Sequence, residues 1–313
     1  MNNPLSFTSA DAIPIKLLYH REVPQFSPIH IQWIPTNKCN LNCTCCSCKK
    51  RDKSLEMDLE IAIKVIEDFA SLGVKAVTIT GGGEPLLHPY IKEMIDKFAE
   101  CNIKIGLVTN GILLDTLAED TIRKLTWCRI SSTDERDFGN KTKNELLRSI
   151  KIPVDWAFSY VVSDSPNLYA IKRMVQFANQ HNFTHIRLVA DLLDVGRVDS
   201  TFTSIRKYLK DIDNLVIYQP RNSSKPCKSC LIGYIKPLIG PDFQMYHCCG
   251  VQYALKKKSL DLPKELSMGS ALELNKIYQT STPFKVNCVR CYYTQYNDIL
   301  HSVQKGLKHK EFI

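Results

Sequence analysis

No stretch of this chain approaches the roughly 20 apolar residues that a membrane-spanning helix needs, so a helical membrane protein is excluded. The first residues, Met1 to Pro14, are polar and hold neither a basic n-region nor an apolar h-region. No secretory signal is read, and the expected compartment is the cytoplasm. Internal repeats and low-complexity tracts are missing, which removes solenoids and flexible tails from consideration. Basic residues are spread out: no block exceeds Lys256-Lys257-Lys258, and aromatics are not interleaved with it. The net charge of +9 is therefore read as a solvated basic surface rather than a nucleic-acid footprint.

What is present is cysteine. The 313 residues include 13 of them, and an apolar fraction of 44% is enough for a substantial core. In a reducing compartment, thiols in this number are expected to bind metal or to react rather than to pair as disulfides. Five fall between Cys39 and Cys48. Six more form the pairs Cys227/Cys230, Cys248/Cys249 and Cys288/Cys291, which leaves Cys101 and Cys128 as small buried residues. Clustering of this kind points to metal.

The first two-thirds of the chain alternates between strand and helix patterns. Strands are read at 29–34, 76–80, 103–109, 127–132, 153–162 and 185–190. Helices are read at 58–72, 89–102, 115–125, 141–150, 168–181 and 200–211. Such alternation implies parallel βαβ units in an α/β fold, arranged as a partial barrel or an open doubly wound sheet. Beyond about residue 215, Pro220, Pro226, Pro237 and Pro241 break the pattern. A hairpin is expected from Ile232–Ile239 and Phe243–His247, then a helix at 271–280 and a terminal helix at 294–306. The expected organisation is an N-terminal extension at 1–27, a core at 28–214 and a small cysteine-rich α+β module at 215–313. That module is too small to rest on an apolar core alone, and a metal staple would supply the missing stability.

The polar motifs follow successive strands. The cysteine loop follows the first, Gly81-Gly82-Gly83-Glu84-Pro85 the second, and Asn110-Gly111 the third, while Ser131-Ser132 ends the fourth. In parallel α/β folds these positions share the carboxyl face of the sheet, where active sites form. The spacing CxxxCxxC of Cys39, Cys43 and Cys46 can wrap one corner of an iron–sulfur cubane and leave one iron open. A zinc knuckle that recruits Cys45 or Cys48 is the competing reading. Glu84 offers a charge for an ammonium, and the glycines permit close backbone approach.

Taken together, these three motifs resemble those of the radical S-adenosylmethionine (SAM) superfamily over roughly residues 28–212. The resemblance implies a partial (βα)6 TIM-like barrel and a [4Fe–4S] cluster whose open iron chelates SAM. It implies Cys39, Cys43 and Cys46 as cluster ligands and places Gly82, Gly83 and Glu84 at the methionyl amino group. Asn110 belongs to the same cofactor-binding set, and Ser131 or Ser132 serves the carboxylate or ribose. Position 45 is usually aromatic in the family and contacts adenine through its backbone; here it is Cys45.

The later cysteines resemble the SPASM/Twitch module that follows many of these barrels, although Phe243 stands where the related hairpin carries Gly. This implies an auxiliary [4Fe–4S] cluster on Cys230, Cys248, Cys288 and Cys291, with Cys227 competing for the first place. A four-cysteine zinc site has the same CxxC half. Cys249 is left over, as a hydrogen-atom donor or a buried thiol.

The expected activity is reductive SAM cleavage followed by hydrogen abstraction from a substrate. It would end in oxidation, as in the aminocyclitol dehydrogenases this layout resembles, or in hydrogen return from Cys249, as in similar epimerases. A flavodoxin- or ferredoxin-type electron donor is implied. The substrate would be a small molecule, a nucleotide or a partner-presented peptide. The alternative is a non-catalytic zinc or nucleic-acid-binding protein.

Overall fold

The computed structural model describes residues 26–133, 149–191, 198–219, 225–255, 261–279 and 282–305. The N-terminal extension before residue 26 and most of the helix expected at 141–150 lie outside these residues. Seven strands run parallel in chain order: β1 (His30–Trp33), β2 (Ala76–Ile79), β3 (Lys104–Thr109), β4 (Leu125–Ser132), β5 (Asp155–Val162), β6 (His185–Ala190) and β7 (Val216–Gln219). Between them lie α1 (Leu59–Ser71), α2 (Ile91–Glu100), α3 (Glu119–Ile122), α4 (Leu168–Gln180) and α5 (Val198–Leu209).

Local chemistry explains the helix ends. The Asp58 side chain accepts from Ile61 N at the start of α1, and Asn167 accepts from Ala170 N at the start of α4. Each satisfies an amide that the first turn leaves unpaired. Gly73, at φ +89°, turns the chain out after α1. The apolar stripe Ala62, Val65, Ile66 and Phe69 is fully buried.

The sheet has two unlike faces. Cys128, Ile130, Trp156, Phe158, Ile186 and Leu188 are buried on the helix-covered side. There Phe158 stacks on Phe183 at 4.5 Å and meets Phe177 of α4 edge-on at 6.3 Å. Strand alternation sends Arg129, Ser131, Ser159 and Arg187 to the other, inner face. That separation, apolar outside and polar inside, is what a chamber requires.

The remaining elements are β8 (Lys225–Cys230), α6 (Ile232–Ile235), β9 (Leu238–Ile239), β10 (Gln244–Tyr246), α7 (Val251–Ala254), β11 (Ser267–Ser270), α8 (Leu274–Tyr278), β12 (Phe284–Cys291) and α9 (Thr294–Lys305). Strand β9 lies parallel to β1, with Gln32 opposite Leu238 and Trp33 opposite Ile239. Through β9 the antiparallel strands β10 and β11 extend the main sheet to ten strands. Separately, β8 and β12 pair antiparallel.

Several local expectations change. The helix read at 115–125 is a 3-10 turn, Leu114–Thr116, followed by the four-residue α3. Leu117 and Ala118 between them are extended, with ψ 129° and 151°. The first half of the expected hairpin is helical, because Ile232, Gly233, Tyr234 and Ile235 are all buried and show no two-residue alternation. At 271–280 a 3-10 turn, Ala271–Glu273, leads into α8. Phe243 closes the turn between β9 and β10 at φ +59°, donating its N–H to the Gly240 carbonyl at 2.9 Å. This left-handed backbone is what glycine adopts without strain; a side chain there costs about 1–2 kcal/mol. The buried Phe243 ring offsets that with about 1.5–3 kcal/mol.

Candidate functional site

The carboxyl ends of β1 to β4 enclose a cleft of about 170 Å³, and its walls are the motifs that the sequence singles out. Cys39, Cys43 and Cys46 line it, with Cys48 beside them. Opposite stand Thr80 and Gly81 to Glu84, with Val108, Thr109, Asn110 and Ser131 completing the wall. Ser132 is buried and alternates to the helix side, so Ser131 is the serine that faces the cleft. Cys45 is half-buried and is not among the lining residues.

The glycines also serve the packing of the site. A Cβ on Gly82 would strike Asn37 Oδ1 and Arg51 Nη1, and one on Gly83 would strike the Lys38 backbone. Gly83 N also donates to the Thr36 carbonyl at 3.0 Å, and Glu84 N to that of Lys38 at 2.7 Å. The missing side chains therefore let the glycine turn dock against the start of the cysteine loop. Close packing between the two loops fixes the cleft.

Glu84 is anchored by the protein itself. It is 2% exposed, and its carboxylate accepts from Leu86 N at 3.2 Å, Thr109 Oγ1 at 2.6 Å and Asn110 N at 2.7 Å. Asn110 in turn donates from Nδ2 to Asn40 Oδ1 at 2.7 Å. Glu84 thus ties the β2 loop to the β3 loop, and Asn110 ties that loop to the cysteines. Glu84→Gln puts an amide donor where a backbone N–H or the Thr109 hydroxyl donates. The expected cost is about 2–4 kcal/mol of stability, together with a marked rise in the KM for SAM. Thermal melts and SAM titrations of the variant measure both; unchanged values in each would remove the tying role.

Sequence reasoning weighed Cys48 only as a zinc ligand and passed over the basic residues after it. Arg51, 5% exposed, donates to Gln252 Oε1, and Cys48 reaches the same oxygen at 3.5 Å. Lys53 donates to the Cys48 carbonyl at 3.2 Å. A hydrogen bond from Cys46 pushes the Cys48 thiol down to about 6 against its burial, with Arg51 assisting. The signal lay in the run Cys48-Lys49-Lys50-Arg51-Asp52-Lys53, which composition had assigned to the surface.

A second thiol group forms where β8, β12 and the turn after β10 meet. The ladder sets Cys227 opposite Cys288, and Cys227 shares a hydrogen bond with Cys291. Cys230, whose thiol burial pushes up to about 12, interacts with Cys291 and Cys288; Cys248 interacts with Cys230 and Cys291. All five sulfurs, Cys227 included, therefore belong to one neighbourhood. Cys249 interacts with Cys248 and has the Tyr293 hydroxyl 3.3 Å from its sulfur.

Thiols are the donors that iron–sulfur clusters take at each protein-bound iron, and Cys39, Cys43 and Cys46 on one cleft wall fit that donor chemistry. No helix among the described residues is long and apolar enough to cross a membrane.

Comparison with known proteins agrees with this geometry. The family model of the Radical SAM superfamily matches residues 33–159. A protein named probable GTP 3',8-cyclase from Methanocaldococcus jannaschii is 42% identical over 254 residues, covering 65% of this chain and 82% of that protein. The GTP 3',8-cyclase of Chlorobaculum tepidum is 29% identical over 169 residues, and the match covers 48% of this chain and 49% of that one. The chain thus spans most of the archaeal relative and about half of the bacterial one.

Among solved structures, Streptococcus suis SuiB bound to the precursor peptide SuiA aligns with a TM-score of 0.61 at 14% identity, covering 85% of this chain and 67% of that one. anSMEcpe with bound AdoMet and a Kp18Cys peptide aligns with a TM-score of 0.56 at 14% identity, covering 88% and 84%. At such identities the likeness is one of fold, and that fold is the partial barrel. Motif order, cleft and relatives converge on one conclusion: the chain belongs to the radical SAM superfamily.

Proposed function

We propose that this chain cleaves SAM at a [4Fe–4S] cluster held by Cys39, Cys43 and Cys46 and turns the resulting radical on a substrate seated against the inner face of the sheet. The observation that carries this reading is that the three thiols and the Gly82-Gly83-Glu84 turn line one cleft at the carboxyl ends of the strands. When bound, the cluster and SAM supply a 5'-deoxyadenosyl radical, with the electron drawn from a flavodoxin- or ferredoxin-type donor. The protein's part is positional. Gly82 and Gly83 present backbone polar groups, Ser131 offers a hydroxyl, and Glu84 and Asn110 hold the two loops at a fixed separation.

Residues 215–313 are read as a SPASM/Twitch-like module with an auxiliary cluster on Cys230, Cys248, Cys288 and Cys291. Cys227 is a fifth sulfur within reach. Beside this set, the Cys249 thiol is held by the Tyr293 hydroxyl. Hydrogen return from Cys249 breaks its S–H bond and forms a C–H bond on the substrate. One electron from the reduced donor protein and one solvent proton then restore the thiol. A second reading, radical cyclisation of a purine nucleotide, is favoured by the 42% identity to the archaeal protein named as a GTP cyclase.

Anaerobically reconstituted protein, screened with nucleotides including GTP for compounds that stimulate 5'-deoxyadenosine release, tests both. With the compound that responds, turnover in deuterated water should place one solvent deuterium in the product. Cys249→Ala should still release 5'-deoxyadenosine but lose that deuterium. An oxidised product made at full rate by Cys249→Ala overturns hydrogen return, and a cyclised nucleotide establishes the second reading.

A further inference from the structure

The inner face of a parallel barrel is normally filled with branched apolar side chains. Here strand register places charges on it. Arg129 of β4 pairs with Ala157 of β5, which pairs with His185 of β6; two residues on, Ser131, Ser159 and Arg187 form the next row. Opposite Gln32 of β1 lies Leu238 of β9, and Lys236, which ends α6, precedes that strand by two residues.

Lys236 is the decisive residue. It is 1% exposed, and its Nζ has no hydrogen-bond partner among the described residues. The centroid of the Tyr293 ring lies 6.0 Å away. A buried ammonium left in this way is costly, and proteins keep such groups where something binds them. Burial lowers its proton affinity, while the Cys249 and Cys248 thiols raise it and Arg187 and Arg129 lower it again. Both guanidinium groups are therefore within electrostatic reach of the Lys236 ammonium, and strand register sets Arg129 and Arg187 on one face of the sheet. His185 feels the same two guanidinium groups; burial and then those charges push it down to about 3. Its Nε2 and the Gln219 Nε2 are also buried without partners among the described residues. Arg187 is held in place by donating to Gln219 Oε1 at 3.1 Å.

We propose that Arg129, Arg187 and Lys236 form an oxyanion subsite inside the barrel and that the substrate is a phosphorylated small molecule. The inference rests on the reading of the inner face as the substrate chamber. Two guanidinium groups and an ammonium on one face suit a ligand with more than one negative charge. Guanidinium forks match phosphate oxygens in pairs, while an ammonium serves as a point charge. The subsite lies next to Cys249, so a phosphate bound there would hold the rest of the substrate against the thiol.

The test uses the reconstituted full chain without reductant, with inorganic pyrophosphate as the probe and binding followed by calorimetry. Pyrophosphate should bind the wild type, and Lys236→Met and Arg129→Gln should each weaken it by about tenfold or more. The exposed Lys64→Ala should not change it. Because Lys236→Met removes a buried charge and keeps much of the side-chain volume, circular dichroism should show a folded protein. Equal affinities in wild type and variants would overturn the proposal. So would citrate binding as tightly as pyrophosphate with the same dependence, or a loss confined to SAM affinity, which would assign the cations to the SAM carboxylate. Charge-dependent pyrophosphate binding in a protein that never cleaves SAM would leave the subsite standing and refute the reaction reading alone.

Discussion

Replacing Cys39, Cys43 and Cys46 together by alanine should abolish 5'-deoxyadenosine formation and remove about four irons per chain. Each thiol is a wall of the same cleft, and no histidine or carboxylate among the lining residues can substitute for sulfur except Glu84, which already accepts three hydrogen bonds. Cys48 is the one remaining sulfur in that wall. It is bonded to Cys46 and turned toward Gln252, so it could rescue a single Cys46→Ala variant in part but not the triple one. Iron and sulfide analysis beside chromatography of the SAM reaction gives both readouts. Normal 5'-deoxyadenosine from the triple variant would refute the ligand assignment.

Replacing Cys288 and Cys291 should have a comparably large effect on a different observable. Iron content should fall by about one four-iron cluster, and brown visible absorbance should diminish without vanishing. Cleavage of SAM should persist, whereas conversion of the true substrate should stop. Stability should fall too. The β8–β12 ladder is short, with register shifts at its cysteines, and its exposed Lys225, Pro226 and Lys228 contribute little apolar burial. A cluster bonded to both strands adds the cohesion that packing does not. A drop of several degrees in melting temperature corresponds to about 1–2 kcal/mol lost. Zinc in the wild type, with iron unchanged in the variant, would identify this as a structural zinc site.

Much of this was readable in the chain because the signals were periodic or closely spaced. Asp58 before an apolar stripe, β-rich runs closed by glycine, and polar motifs after successive strands all arise from local chemistry. What escaped was set by tertiary contact. The four-residue α6 hid in an apolar run equally suited to a strand, and β8 and β12 are rich in cysteine and lysine rather than β-branched residues. The anchoring of Glu84 escaped for a similar reason: its bonds to Leu86, Thr109 and Asn110 join segments that are distant in sequence. Phe243 shows the reverse case, in which an odd residue in a hairpin marks a left-handed backbone position.

Strand β9 has a consequence for how the chain can be cut. By lying alongside β1 it seals the flank of the barrel nearest the cysteine loop, at Gln32 and Trp33. Backbone bonds from Gln32 N to the Pro237 carbonyl at 2.9 Å and from Ile34 N to that of Ile239 at 3.0 Å fasten the seam. A fragment ending near residue 214 would bare that flank as a row of unpaired amides and carbonyls bordering buried Trp33, a template for pairing with another molecule. Barrel and cysteine-rich segment therefore cannot be exchanged as cassettes between proteins. Whatever substrate the later residues help to select, they are also the wall against which the first strand folds.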